Sequence, residues 1–240
     1  MEQGKWQKCL SRWSIPFVAL ALAACGAEAP VADTPAQRAE AGSPTNAEIP
    51  VMGPERHILA FGDSLFAGYN VAKSDSYPAK LEVALRTKGI NAKVVNAGVS
   101  GDTSAAGLQR FQFTIDNLET TPDLLILELG GNDLLRGLSP EETKSNLRDI
   151  ITTAQREGME IILFGMQAPP NAGVGYVAEF NAVFSDLAKQ YGLDFIPFWV
   201  EPLVDKPDMI QSDRIHPTAD GIEILVSETL DEVVGAIPEK

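Results

Sequence analysis

From His57 onward the apolar residues of this chain alternate between short unbroken runs and longer stretches in which they recur every three or four positions. An unbroken run suits a strand buried on both faces, and the three-to-four spacing suits a helix with one face on a core. The runs predict strands near 57–61, 92–96, 123–129, 159–165 and 193–196. The spaced stretches predict helices near 76–88, 103–119, 140–157, 176–190 and 218–234. Strands followed by helices in this way make an α/β domain around a mainly parallel five-stranded sheet. The helix near 140–157 is the best marked: Ser139-Pro140-Glu141-Glu142 supplies an N-cap, a first-turn proline and a capping-box acid, and Gly158 closes it.

In such a sheet ligands bind beyond the carboxyl ends of the strands, so the segment after each strand decides the chemistry. Strand one runs into Gly62-Asp63-Ser64-Leu65 and strand two into Asn96-Ala97-Gly98-Val99-Ser100-Gly101-Asp102-Thr103. Strand three runs into Gly130-Gly131-Asn132-Asp133, strand four into Met166-Gln167-Ala168-Pro169-Pro170, and Asp213-Arg214-Ile215-His216-Pro217 comes well after strand five. Each segment alone reads as a turn or a helix cap. Together they bring glycine-rich and polar residues to one edge.

The residues before 57 have another character. Lys5, Lys8 and Arg12 precede a short, mainly apolar run from Ser14 to Ala24, too short to span a bilayer and laid out as a secretory signal over residues 1–24. It ends in Leu22-Ala23-Ala24-Cys25-Gly26, which resembles a bacterial lipobox, where cleavage leaves the cysteine as a lipidated N-terminus. Ordinary cleavage after Ala21-Leu22-Ala23, releasing a periplasmic or secreted protein, is the alternative. Lipidation at Cys25 is favoured because the other cysteine, Cys9, lies inside the signal and leaves Cys25 no disulfide partner. The resemblance implies attachment to the membrane through Cys25. With Gly26 rather than Asp next to it, the expected destination is the outer membrane. Residues 25–55, rich in Ala, Pro, Glu and Thr, are expected to form a disordered tether, and residues 56–240 the folded domain.

Charge removes one class of partner. The chain carries a net −14, and without residues 1–24, which hold three basic residues and one acid, the remainder stands at −16. No basic patch runs along it, so nucleic acid would be repelled.

A serine at a strand's carboxyl end becomes a nucleophile when a base takes its proton. His57 opens the first strand, at the far end of the sheet from Ser64. His216 has an acid three residues before it, a spacing at which Asp213 can hold imidazole Nδ1 and leave Nε2 for the serine. Gly101 can present a backbone N–H, and Asn132 a side-chain amide, to a developing oxyanion. Nothing marks a phosphate loop for a flavin, a His/Cys zinc site lacks its ligands, and the chemistry calls for neither cofactor nor metal.

Gly62-Asp63-Ser64-Leu65, Ser100-Gly101-Asp102-Thr103, Gly130-Gly131-Asn132-Asp133 and Asp213-x-x-His216 resemble, in order and spacing, the four blocks of the GDSL/SGNH hydrolases. The run Gly101-Asp102-Thr103-Ser104, and Glu128 to Asp133 followed by Leu135-Arg136-Gly137, are similar to its thioesterase I/lysophospholipase/arylesterase subgroup. The resemblance spans about residues 57–230. It implies a three-layer α/β/α sandwich of flavodoxin-like type, with Ser64 as nucleophile, His216 as base and Asp213 as its orienter. The Ser64 and Gly101 N–H groups and the Asn132 side chain would hold the oxyanion. Phe66 stands where an α/β-hydrolase elbow needs its second glycine, which separates the two folds independently.

The expected activity is that of a serine esterase on aryl, short to medium acyl, lysophospholipid or thio esters, a small ester or lipid being the binding partner. Leu134, Leu135 and Leu138, together with Pro169, Pro170 and Tyr176, are the expected acyl-binding residues by position and resemblance. The alternatives are a carbohydrate acetylesterase on the same triad and a noncatalytic envelope-binding lipoprotein.

Overall fold

A computed structural model describes residues 50–239. The signal segment, Cys25 and most of the expected tether lie outside those residues. Five strands form one sheet: β1 (Arg56–Gly62), β2 (Ala92–Gly98), β3 (Leu124–Glu128), β4 (Glu160–Phe164) and β5 (Asp194–Ile196). Their order is β2-β1-β3-β4-β5 and every pairing is parallel. The chain steps from β1 outward to β2 and returns to the other side of β1 for β3. That reversal opens a crevice at the carboxyl ends of the strands around β1.

Among the described residues seven α-helices accompany the sheet: α1 (Ser64–Ala67), α2 (Tyr77–Thr87), α3 (Ser104–Asp116), α4 (Gly131–Leu135), α5 (Pro140–Arg156), α6 (Val174–Tyr191) and α7 (Ala219–Ala236). The five long helices match the spaced stretches of the sequence to within a few residues at each end. The short ones, α1 and α4, are new, because four or five residues are too few to show a helical period. Both begin where a strand delivers its functional segment.

Alternation along β1 builds the three layers. Ile58 and Ala60 pack with Leu81, Leu85, Leu225 and Val233 of α2 and α7. Leu59 and Phe61 point the other way, to Phe111, Leu147, Ile151 and Leu187 of α3, α5 and α6. Each of the larger side chains among these, taken from water, contributes about 1.5–3 kcal/mol, so β1 is fixed in register from both faces.

α1 rests on an aromatic bed. Phe66 stacks on Tyr77 at 5.1 Å between ring centroids and meets Trp199 edge-on at 5.6 Å. The bulky residue that departs from a Gly-x-Ser-x-Gly elbow is thus the anchor of the helix that carries Ser64. Close approach is possible because β2 ends in Gly98: a Cβ there would stand 2.3 Å from the Ala67 nitrogen.

Candidate active site

Ser64 opens α1, and its neighbour Asp63 is the N-cap, accepting the Leu65 N–H at 3.0 Å through Oδ1. His216 lies in the connection between β5 and α7, which folds back through an antiparallel bridge between Ile210 and Pro217. Its Nε2 stands 2.8 Å from Ser64 Oγ, and its Nδ1 stands 2.7 Å from Asp213 Oδ2. Asp213 Oδ1 accepts the backbone N–H groups of Ile215 and His216 at 2.9 and 3.0 Å. The hydrogen bond to the His216 ring, with those backbone donors, lowers the Asp213 carboxyl to about 2. The carboxylate is therefore ionised throughout the range in which an imidazole changes charge, and it holds Nδ1–H toward itself.

Asn132 reaches the same place from α4. Its Nδ2 donates to Asp63 Oδ2 at 2.9 Å, which sets the amide: one N–H is engaged, and the second is free for another acceptor. Asp133 next to it is buried and accepts the Ser104 N–H and hydroxyl and the Thr143 hydroxyl, joining α3, α4 and α5. The loop bearing Gly101 is held from two sides. Arg136 donates to the Gly101 carbonyl at 2.8 Å, while Arg110 pairs with Asp102 at 2.6 Å and donates to the Gly62 carbonyl at 3.0 Å. Gly101 has φ +88°, a turn conformation that other residues adopt at a cost.

A second carboxyl lies beneath. Glu128, the last residue of β3, pairs in register with Gly62 and is completely buried. Its Oε2 accepts the Asp63 N–H at 3.2 Å, and its Oε1 has no hydrogen-bond partner. Gly62 makes room for it, since a Cβ at that position would lie 2.7 Å from Glu128 Oε2. Burial, and then the charge of Asp63, push the Glu128 carboxyl well above the carboxylate range. Burial also raises Asp63, opposed by donors from Leu65 and Asn132 and by a hydrogen bond with the Glu128 side chain. The proton of the pair belongs on Glu128, the member with the fewer donors aimed at it.

Ser64, Gly101, Asn132 and His216 face a common cavity of about 530 Å³. Its far wall is aliphatic: Val200, Leu203, Val204, Ile210 and Ile215, all from the β5–α7 connection. Tyr69, Met166, Leu134 and Leu135 add to the apolar lining, with Leu65 and Pro217.

Residues 60–224 match the GDSL-like lipase/acylhydrolase family. The chain belongs to that family. A solved structure of AlinE4, an SGNH-hydrolase family esterase, shares 56% identity at a TM-score of 0.66, covering 78% of this chain and all of that one. Esterase TesA of Pseudomonas aeruginosa is 39% identical over 160 residues, 67% of this chain and 79% of that protein. Thioesterase 1/protease 1/lysophospholipase L1 of Escherichia coli K12 is 35% identical over 209 residues, 87% of this chain and 86% of that protein. The protein is an SGNH-fold ester hydrolase.

In this GDSL hydrolase the expected site residues Ser64, Gly101, Asn132, Asp213 and His216 come together from four separate segments, Asp213 and His216 sharing one. The expected acyl residues divide. Leu134 and Leu135 line the cavity, whereas Leu138, Pro169, Pro170 and Tyr176 stand outside it. The Tyr176 hydroxyl donates to the Leu138 carbonyl and its ring stacks on Phe180, so Tyr176 ties the α4–α5 connection to α6. The far side of the cavity is formed instead by the aliphatic residues of the β5–α7 connection. Leu203, Val204, Ile210 and Ile215 show neither helical nor strand period, and their one signal is an excess of aliphatic residues in a segment otherwise rich in Pro and Asp. Tyr69 and Glu128 likewise carry no signal of their own as individual residues in the sequence.

Proposed function

We propose that this GDSL hydrolase cleaves aryl and short- to medium-acyl esters through an acyl-enzyme on Ser64, with His216 as base and Asp213 as its orienter. Ser64 Oγ attacks the carbonyl carbon and passes its proton to His216 Nε2. The oxyanion accepts hydrogen bonds from the Ser64 and Gly101 N–H groups and from the Asn132 amide. Collapse expels the alcohol, which leaves with the proton from Nε2, and a water repeats the sequence in reverse to free the acid and regenerate Ser64. The single observation that carries this reading is the unbroken contact chain from Asp213 through His216 to Ser64 at the mouth of an apolar cavity.

The acyl chain lies along the Leu203, Val204, Ile210 and Ile215 wall, where each methylene withdrawn from water is worth about 0.8 kcal/mol. This wall favours an acyl esterase over a carbohydrate acetylesterase. The test is hydrolysis of p-nitrophenyl esters from acetate to laurate, with fluorophosphonate labelling, by the wild type, Ser64→Ala and His216→Ala. Turnover and labelling are expected to vanish in Ser64→Ala, with an optimum beyond acetate in the wild type. An acetate optimum with activity on acetylated sugars favours the acetylesterase, and a folded wild type that neither labels nor turns over favours the binding lipoprotein. Val204→Ala is expected to raise KM several-fold for the longer esters and leave acetate alone.

Attachment to the outer membrane through Cys25 belongs to the same proposal, on the lipobox-like Leu22 to Cys25 segment. Metabolic labelling with an alkyne fatty acid, present in the wild type and lost in Cys25→Ser, tests it.

A further inference from the structure

A base that moves a proton in both directions must keep its ring plane as well as its two nitrogens in place. The bonds from His216 Nδ1 to Asp213 and from Nε2 to Ser64 lie on opposite sides of the ring, and the imidazole can still rock about the line joining them. What stops that rocking is a contact on the ring face. Tyr69 supplies one: its ring centroid is 4.3 Å from that of His216 and the two planes are inclined by 31°.

The residue making this contact is carried by the nucleophile's own segment. Past the short α1, Gly68 turns the chain at φ +79°, and a Cβ there would lie 2.8 Å from Ser76 Cβ, so the turn has little freedom. The N–H groups of Gly68 and Tyr69 both donate to the Ser64 carbonyl at 3.2 Å. Gln211 ties this turn to the histidine loop. Its Nε2 donates to the Tyr69 carbonyl at 2.9 Å and to the Pro217 carbonyl at 2.8 Å, and its backbone N–H donates to the His216 carbonyl at 2.8 Å. The Gln211 side chain thus straps the turn after Ser64 to Pro217, the residue following the base, while its backbone N–H holds His216 itself.

We propose that Tyr69, held by Gln211, is a positioning residue that walls one face of the His216 imidazole and keeps it aimed at Ser64. An aromatic face beside a ring that becomes cationic during each proton transfer is also electrostatically favourable. The inference rests on His216 serving as the base. The competing role for Tyr69, which lines the cavity and is 44% exposed, is that of a plain substrate contact. The two roles differ in kinetics, since misaiming a base lowers kcat while losing a ground-state contact raises KM.

The experiment uses the full chain and measures kcat and KM on p-nitrophenyl acetate and octanoate for the wild type, Tyr69→Ala, Tyr69→Phe, Gln211→Leu and Ser64→Ala, with thermal midpoints. Tyr69→Ala is expected to lose about ten-fold or more in kcat on both esters with KM nearly unchanged, a loss of the size small misplacements produce. Tyr69→Phe, which keeps the ring, is expected to recover most of that rate, and Gln211→Leu to lose kcat in the same sense. The downfield proton resonance of the His216 Nδ1–H is expected to be sharp in the wild type and Tyr69→Phe and broadened in Tyr69→Ala. A rise in KM that grows with acyl length at constant kcat, or a Tyr69→Ala variant equal to the wild type, overturns the positioning role while leaving the serine mechanism standing. A wild type whose turnover survives Ser64→Ala overturns the functional reading itself. If Tyr69→Ala unfolds, Gln211→Leu and the resonance in Tyr69→Phe decide the matter, and a normal kcat in Gln211→Leu counts against the strap.

Discussion

Asp213 and Asp63 each stand one hydrogen bond behind a group assigned to the reaction, Asp213 behind His216 and Asp63 behind Asn132, yet their surroundings are opposites. Asp213 sits at the surface on a loop, takes two backbone N–H groups and the imidazole, and is lowered to about 2. Asp63 is buried at a helix N-cap against a second carboxyl, and burial raises both, Glu128 by more. The same functional group is kept charged in one place by donors and pushed toward its neutral form in the other by desolvation. A base that must become cationic needs a fixed anion behind it. An amide that only donates needs an acceptor fixed in space, and the buried pair provides that without a second full charge.

The largest effect is expected on the exposed side. Asp213→Asn keeps the size of the side chain and can still accept the backbone N–H groups, but it no longer stabilises the imidazolium or dictates the tautomer. The expected loss is about 10³-fold or more in kcat with an unchanged thermal midpoint. Stopped assays on p-nitrophenyl butyrate, alongside thermal melts, measure both. A loss of less than ten-fold would make Asp213 a loop-shaping residue only.

On the buried side the expected order is smaller in rate and larger in stability. Asp63→Asn can keep the helix cap but offers Asn132 an amide with two possible orientations, so about 10²-fold in kcat is expected to go with the free oxyanion donor. Glu128 separates charge from shape. Glu128→Gln still donates to Asp63 and is expected to lose no more than a few-fold in kcat. Glu128→Ala leaves a cavity and an unpaired Asp63 N–H beneath the site, costing about 3 kcal/mol in denaturant unfolding. If Glu128→Gln is as damaging as Glu128→Ala, the residue acts through a negative charge and the neutral assignment fails.

This contrast is also a contrast in what a sequence displays. Ser64, Asn132, Asp213 and His216 stand in short polar segments bounded by glycine or proline at the ends of apolar runs, and their chemistry needs those residue types, so they could be read. The strands could be read for the same reason, because a run such as Leu124 to Leu127 buried on both faces leaves no room for polar residues. Glu128 breaks that run at its last position, directly across from Gly62. An acid closing a fully apolar strand opposite a glycine is a legible sign of a buried carboxyl, but only once the register is known. Tyr69 and Gln211 come from segments 142 residues apart and owe their contact to tertiary folding alone. The aliphatic wall was hidden differently, since Leu203 and Ile210 sit in or beside single 3-10 turns that impose no period.

The smallest expected effect is a pH dependence of stability, and its two halves have opposite signs. Asp213 has a folded value of about 2, below the ordinary carboxylate range, so its contribution is present above about pH 4 and lost as pH falls toward 2. Solvent screening of so exposed a group keeps that contribution small. Glu128 is raised, so the folded state holds its proton when the unfolded chain has released it. Stability from Glu128 is therefore greatest below the ordinary carboxyl range and declines as pH rises above it. Glutamine cannot release that proton, and every other titrating group is common to both proteins. The urea midpoint of Glu128→Gln, compared with wild type from pH 4 to pH 8, is accordingly expected to gain on wild type as pH rises. Parallel curves would mean that Glu128 titrates alike in the folded and unfolded chains, and would remove the neutral carboxyl from beneath Asn132.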